Sequence, residues 1–67
     1  MSNFSKNLRY YRKERNFTQL ELGEKINSGY TLISILESGR IEPDSVTVKS
    51  LAEALDVSIN KLFDNSH

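Results

Sequence analysis

"TQLELGEKINSGYTLISILES", Thr18 to Ser38, decides how the chain folds. Thr18 with Glu21 three residues later is a capping box, each side chain accepting the other's backbone N–H, so a helix starts there. Leu22 and Ile26 give that helix its apolar stripe. "NSG" at 27–29 ends it, because asparagine adopts the left-handed conformation of a helix terminus best after glycine. Gly29 then serves as the cap of a second helix. Such a short connection leaves no generous loop, so the two helices meet at a steep angle. Gly23 inside the first helix costs about 1 kcal/mol relative to alanine. A close crossing of the second helix, with no room for a β-carbon, accounts for it.

The second helix carries a surplus of apolar side chains, with Leu32, Ile33, Ile35 and Leu36 crowded together. At about 100° per residue, Ile33, Leu36 and Glu37 share one side with Leu32 at its edge. Tyr30, Thr31, Ser34, Ile35 and Ser38 share the other. Ile33 and Leu36 belong to the core. Ile35 stands apart among three hydroxyls and a tyrosine.

Outward from this pair, apolar residues recur at helical spacing. Phe4, Leu8 and Tyr11 form one stripe, Val48, Leu51, Ala52 and Leu55 another, and Ile59, Leu62 and Phe63 a last one, of which Leu62 and Phe63 turn into the core. Gly39 marks a helix end. Pro43 stops the chain, and Asp44 and Ser58 can cap the helices that follow. "SVTVK" alternates, but it lies between a cap and "SLAEAL" and reads as helix. The spacing predicts five short helices, at about 3–15, 18–26, 30–38, 44–55 and 59–64, in one all-α domain over residues 1–67. The helix-turn-helix occupies 18–38, and the helices within 44–64 serve packing and dimerisation.

Sixty-seven residues bury a limited core, so idealised packing or self-association must supply the stability. Cysteine is absent, which excludes disulfides and thiolate metal sites, and no metal or cofactor is expected. The single histidine, His67, stands last, where fraying outweighs ligation or catalysis. The basic start, "MSNFSKNLRYYRKER", is neither signal peptide nor membrane span, so no membrane partner is expected and the default is cytoplasmic. Formal net charge is zero, yet residues 1–17 hold five basic side chains against Glu14 alone, a net +4. Residues 18–39 and 40–67 each carry −2. That polarity suits one anionic partner on a defined face, although a solvated basic helix carries the same charge.

"FTQLELGEKI", "LISILESGR" and "SLAEALDVSINKLF" resemble the Cro/repressor-type, or XRE-type, helix-turn-helix regulators. Thr18, Gln19, Leu22, Ile33, Ser34, Leu36, Glu37 and Gly39 match that pattern without insertion, and Pro43, Thr47, Leu51, Ala52, Leu55, Val57, Ser58, Leu62 and Phe63 continue it. The chain departs from it at Gly23, Asn27 and Gly29, and at Glu42 and Asp44 in a loop that is often basic.

The resemblance implies a compact five-helix domain of the phage-repressor type that acts as a homodimer on double-stranded operator DNA. It implies that the helix at 30–38 enters the major groove. There Tyr30, Thr31, Ser34 and Ile35 would meet base edges, the isoleucine against a thymine methyl. Ile35 could instead pack on a second subunit or stand exposed. Thr18 and Gln19 open a helix whose amides attract phosphate, and Arg40 follows the recognition helix, so these three are expected on the DNA backbone. A plain N-cap and a free surface arginine are the bland alternatives for Thr18 and Arg40. Gln19 shows little structural reason for its place. In the family the glutamate at Glu37 pairs with the helix-one arginine, here Arg12, to fix register. Tyr10 and Tyr11 read as core and rim. Ile59, Asn60 and Lys61 are expected at the dimer interface.

No room is left for a small-molecule ligand domain, so none is expected. Activation would need contact with RNA polymerase, and no residue declares one. The alternative is a protein-interaction module or antitoxin-like partner with weak or no DNA binding, favoured by the zero net charge and the acidic loop. An enzyme is not expected: there is no cysteine, no internal histidine and no paired carboxylate in a pocket-like setting.

Overall fold

The computed structural model describes residues 3–65, so His67 lies outside the described residues. Four α-helices follow one another, α1 Phe4–Glu14, α2 Gln19–Lys25, α3 Tyr30–Ser38 and α4 Ser45–Leu55, and a 3-10 helix, Ile59–Phe63, closes the order. The described residues hold no strand, and "SVTVK" lies in α4.

The helix starts are chemically specified. The Glu21 N–H donates to the Thr18 hydroxyl at 3.0 Å, while the Thr18 N–H donates to Glu21 Oε1 at 2.8 Å. At α4 the Thr47 N–H donates to Asp44 Oδ1 at 2.7 Å. Hydrogen bonds from the Thr47 side chain and then its backbone hold the Asp44 carboxyl below the usual aspartate value. Gly29 caps α3 with no side-chain bond. Ser58 stands at the start of the 3-10 helix, but its hydroxyl makes no capping bond.

The helix ends share one device. Asn16, Asn27 and Asp56 adopt φ of 59°, 60° and 57°, each just past a helix. Around them the N–H groups of Phe17, Ser28 and Val57 reach back to the carbonyls of Arg12, Gly23 and Ala52, at 3.1, 2.7 and 3.0 Å. These are Schellman closures, which satisfy carbonyls that a helix end leaves orphaned. Gly39 ends α3 with φ 78°.

Gly23 answers to the turn. A β-carbon there would stand 2.8 Å from the carbonyl carbon and oxygen of Gly29 and 2.9 Å from the Ser28 oxygen. The close approach thus comes from the chain entering α3, not from the body of that helix.

One core joins every element: Phe4 and Leu8 of α1, Leu22 of α2, Ile33 and Leu36 of α3, Val48, Leu51, Ala52 and Leu55 of α4, and Leu62. Each large aliphatic side chain buried there contributes about 1.5–3 kcal/mol. Tyr11, Phe17, Ile26, Leu32, Ala54 and Val57 pack around it, half-buried. The inward turn expected of Phe63 does not occur. It is 43% exposed, its ring tilted against Phe4 with centroids 5.3 Å apart. Leu62 takes the buried place on this five-residue 3-10 helix, and Phe63 follows it about 120° round the axis.

Candidate nucleic-acid interface

Glu37 anchors the site from behind. Only 5% of its side chain is exposed, and 11% of that of Arg12. Arg12 Nε donates to Glu37 Oε2 at 2.6 Å and Nη2 to Oε1 at 3.1 Å, a bidentate pair between α1 and α3. Arg12 Nη1 donates to the Phe17 carbonyl at 2.8 Å, which fixes the turn leading into α2. Gln19 Nε2 donates to Glu37 Oε1 at 3.2 Å. Gln19 therefore has the structural partner that the sequence did not reveal. The node ties α1, the start of α2 and the end of α3 together, and so holds the angle at which α3 is presented.

In front of the node, α3 turns outward the residues that its core does not use. Tyr30 is 56% exposed, and Thr31 is also exposed. Ser34 and Ile35 are half-buried. Leu32 packs against the core, whereas Ile35 is not among the described side chains that do. Tyr10 is exposed and Tyr11 half-buried, their rings edge to face at 5.0 Å. The Ser38 hydroxyl serves the helix end. It donates to the Ile35 carbonyl at 2.6 Å and accepts the Arg40 N–H at 3.3 Å. This anchors the backbone of Arg40, whose exposed side chain has no ion-pair partner among the described residues.

Thr18 is exposed at the opening of α2. Its hydroxyl oxygen and its N–H both serve the capping box, while the hydroxyl proton is still a donor. Ile59, Asn60 and Lys61 lie exposed on the 3-10 helix, while Leu62 on the same helix is buried. The geometry thus gathers Arg12, Gln19 and Glu37, lines Tyr30, Thr31, Ser34 and Ile35 along one helix, and leaves 59–61 as a separate surface.

Asn7 is a residue that the sequence reading missed. It is fully buried, and it falls on the same face as Phe4, Leu8 and Tyr11, which was the available signal. Among the described residues no group of three or more His, Cys, Asp or Glu side chains could hold a metal ion. No helix there is long and apolar enough to cross a membrane.

Known proteins share this arrangement. The helix-turn-helix family model matches residues 8–62. An uncharacterized HTH-type transcriptional regulator, YqaE of Bacillus subtilis (strain 168), is 34% identical over 60 residues, covering 90% of this chain and 52% of its own. The chain thus spans about half the length of that curated relative. The N-terminal DNA-binding domain of SinR from Bacillus subtilis superposes with a TM-score of 0.87 at 28% identity, covering 96% of this chain and 94% of that one. The restriction-modification controller protein C.AhdI from Aeromonas hydrophila gives a TM-score of 0.87 at 26% identity, covering 92% and 94%. By fold, by its matched residues and by these relatives, the chain belongs to the XRE, or repressor, kind of helix-turn-helix family, whose members are DNA-binding transcription regulators.

Proposed function

We propose that the chain is a sequence-specific regulator that binds double-stranded operator DNA as a homodimer in the cytoplasm. α3 lies in the major groove, where Tyr30, Thr31, Ser34 and Ile35 meet base edges. Thr18, Gln19 and Arg40 hold the flanking phosphates. The observation that carries this reading is the outward face of α3, held rigid from behind by the Arg12–Glu37–Gln19 node. That face carries a tyrosine, two hydroxyls and an isoleucine, side chains of the kinds that meet base edges and thymine methyls. Backbone contacts position such a protein and base-edge contacts specify its site. Ile59, Asn60 and Lys61 form the dimer surface, and two-fold symmetry of the protein requires two-fold symmetry of the operator. We assign no residue to RNA polymerase contact.

Binding to duplex fragments over a salt series tests this. Phosphate contacts release counterions, so affinity falls steeply as salt rises. Arg40→Ala weakens binding to all sequences alike and lowers the salt slope by roughly one unit. A chain with no measurable duplex binding at low salt supports the second reading instead, a protein-interaction module of antitoxin-like kind. Glu42 and Asp44, acidic side chains in the connection between α3 and α4, favour that second reading.

A further inference from the structure

Asn7 is fully buried on the face of α1 that also carries Phe4 and Leu8. A covered amide in an apolar stripe needs partners for its polar atoms. Its Nδ2 donates to the Leu62 carbonyl at 3.1 Å and to the Asp64 carbonyl at 2.7 Å. Those two acceptors fix the amide's orientation, because the flipped group would turn its oxygen against two other oxygens. Among the described residues Oδ1 is left buried without a hydrogen-bond partner. Leucine would fill a purely apolar position without that penalty, so the amide is there for its two N–H groups.

Two further contacts flank it. The Phe63 ring lies on Phe4, and the Asn3 side-chain amide donates to the Asn65 side chain. The segment therefore runs back along α1, with Leu62 to Asp64 opposite Asn7 and Asn65 opposite Asn3. The segment is a short 3-10 helix, Ile59–Phe63, with Lys61 N–H bonded to Ser58 O at 3.1 Å and Asp64 N–H to Lys61 O at 3.4 Å at its two ends. An isolated helix of that kind does not persist without tertiary support.

We propose that Asn7 is a positioning residue whose amide clamps the 59–65 segment onto α1, and so presents Ile59, Asn60 and Lys61 to a second copy of the chain. The role of the second copy rests on the homodimer reading above. The segment opens as a unit when the clamp is removed, while α1 to α4 stay closed.

The test compares Asn7→Asp with Val48→Ala. The first keeps the shape, removes both donors and sets a carboxylate against two carbonyls. The second weakens the core from α4 and leaves the Asn7 hydrogen bonds in place. Asn7→Asp should speed amide exchange at Lys61 and Asp64, relative to Leu22 and Leu36, by at least about tenfold. It should weaken dimerisation in sedimentation by a similar factor. Val48→Ala, at conditions matched for melting loss, should do neither. Exchange that rises evenly through α1 to α4, or a dimer constant that shifts equally in both variants, overturns the proposal. If Asn7→Asp does not fold, Asn7→Ala removes the donors together with the unpaired oxygen. Wild-type exchange in rising denaturant decides independently: opening of 59–65 before Leu51 supports the clamp, and simultaneous opening overturns it. A monomeric wild type with the exchange contrast intact keeps the clamp and overturns the dimer reading, so the two failures are distinguishable.

Discussion

Glu37 receives hydrogen bonds from Arg12 and Gln19, residues of two other helices, in a site almost closed to water. Glu37→Ala leaves the Arg12 guanidinium buried and uncompensated, which should cost about 3 kcal/mol in a urea melt. A melt unchanged from wild type, with DNA binding lost, would reassign Glu37 from support to contact. Ile35 makes the opposite prediction, since it lies outside the core. Ile35→Ala should leave stability and the salt slope alone, and cost about 1 kcal/mol at one or two thymine positions. Uracil lacks the methyl, so replacing each thymine in turn should weaken wild type at those positions and leave the mutant indifferent. Equal losses for both proteins would make Ile35 a packing residue. At this scale the sequence was partly legible. The outward set on α3 follows from helical spacing, and the family pattern pairs Glu37 with Arg12. Gln19 looked idle because its acceptor lies eighteen residues away on another helix. Asn7 escaped notice because its partners are backbone carbonyls, which no side-chain pattern records.

Gly23 and Asp44 are element-scale devices. Gly23→Ala gains about 1 kcal/mol of helix propensity, but it drives a β-carbon into the fixed backbone of Ser28 and Gly29. Overpacking of this kind costs typically 1–3 kcal/mol, so a net loss of about 1 kcal/mol is expected on thermal denaturation. A gain would mean that the turn yields. The Asp44 carboxyl ionises more readily folded than unfolded, because Thr47 bonds its charged form. Its contribution is therefore present above the ordinary aspartate value and lost as pH falls through the lowered folded value. Asp44→Asn should flatten that part of the acid limb of stability against pH. An acid limb identical to wild type would show that the cap does not couple to protonation. The helix starts were legible because Thr18, Glu21 and Asp44 advertise their roles locally. The ends at Asn16 and Asp56 were not, since a left-handed asparagine or aspartate looks like any polar loop residue until its backbone angle is known. The last element tightened to a 3-10 turn for a tertiary reason. Leu62 is buried there and Asn7 holds the carbonyls of Leu62 and Asp64.

At the scale of the molecule, zero net charge conceals a basic start and an acidic remainder. In the function proposed above, affinity for a polyanion comes from placement rather than total charge, with Arg40 at the end of α3 and the bases read by uncharged side chains. On the proposed reading, such a site depends on shape and on a second copy to reach useful specificity. Selection of bound duplexes from a random pool by the wild-type chain examines all of this at once. Enrichment of a two-fold sequence, with half-site centres about 10 base pairs apart, is the result this account predicts. Recovery of no preferred sequence, or of a single asymmetric site bound by a monomer, would contradict it.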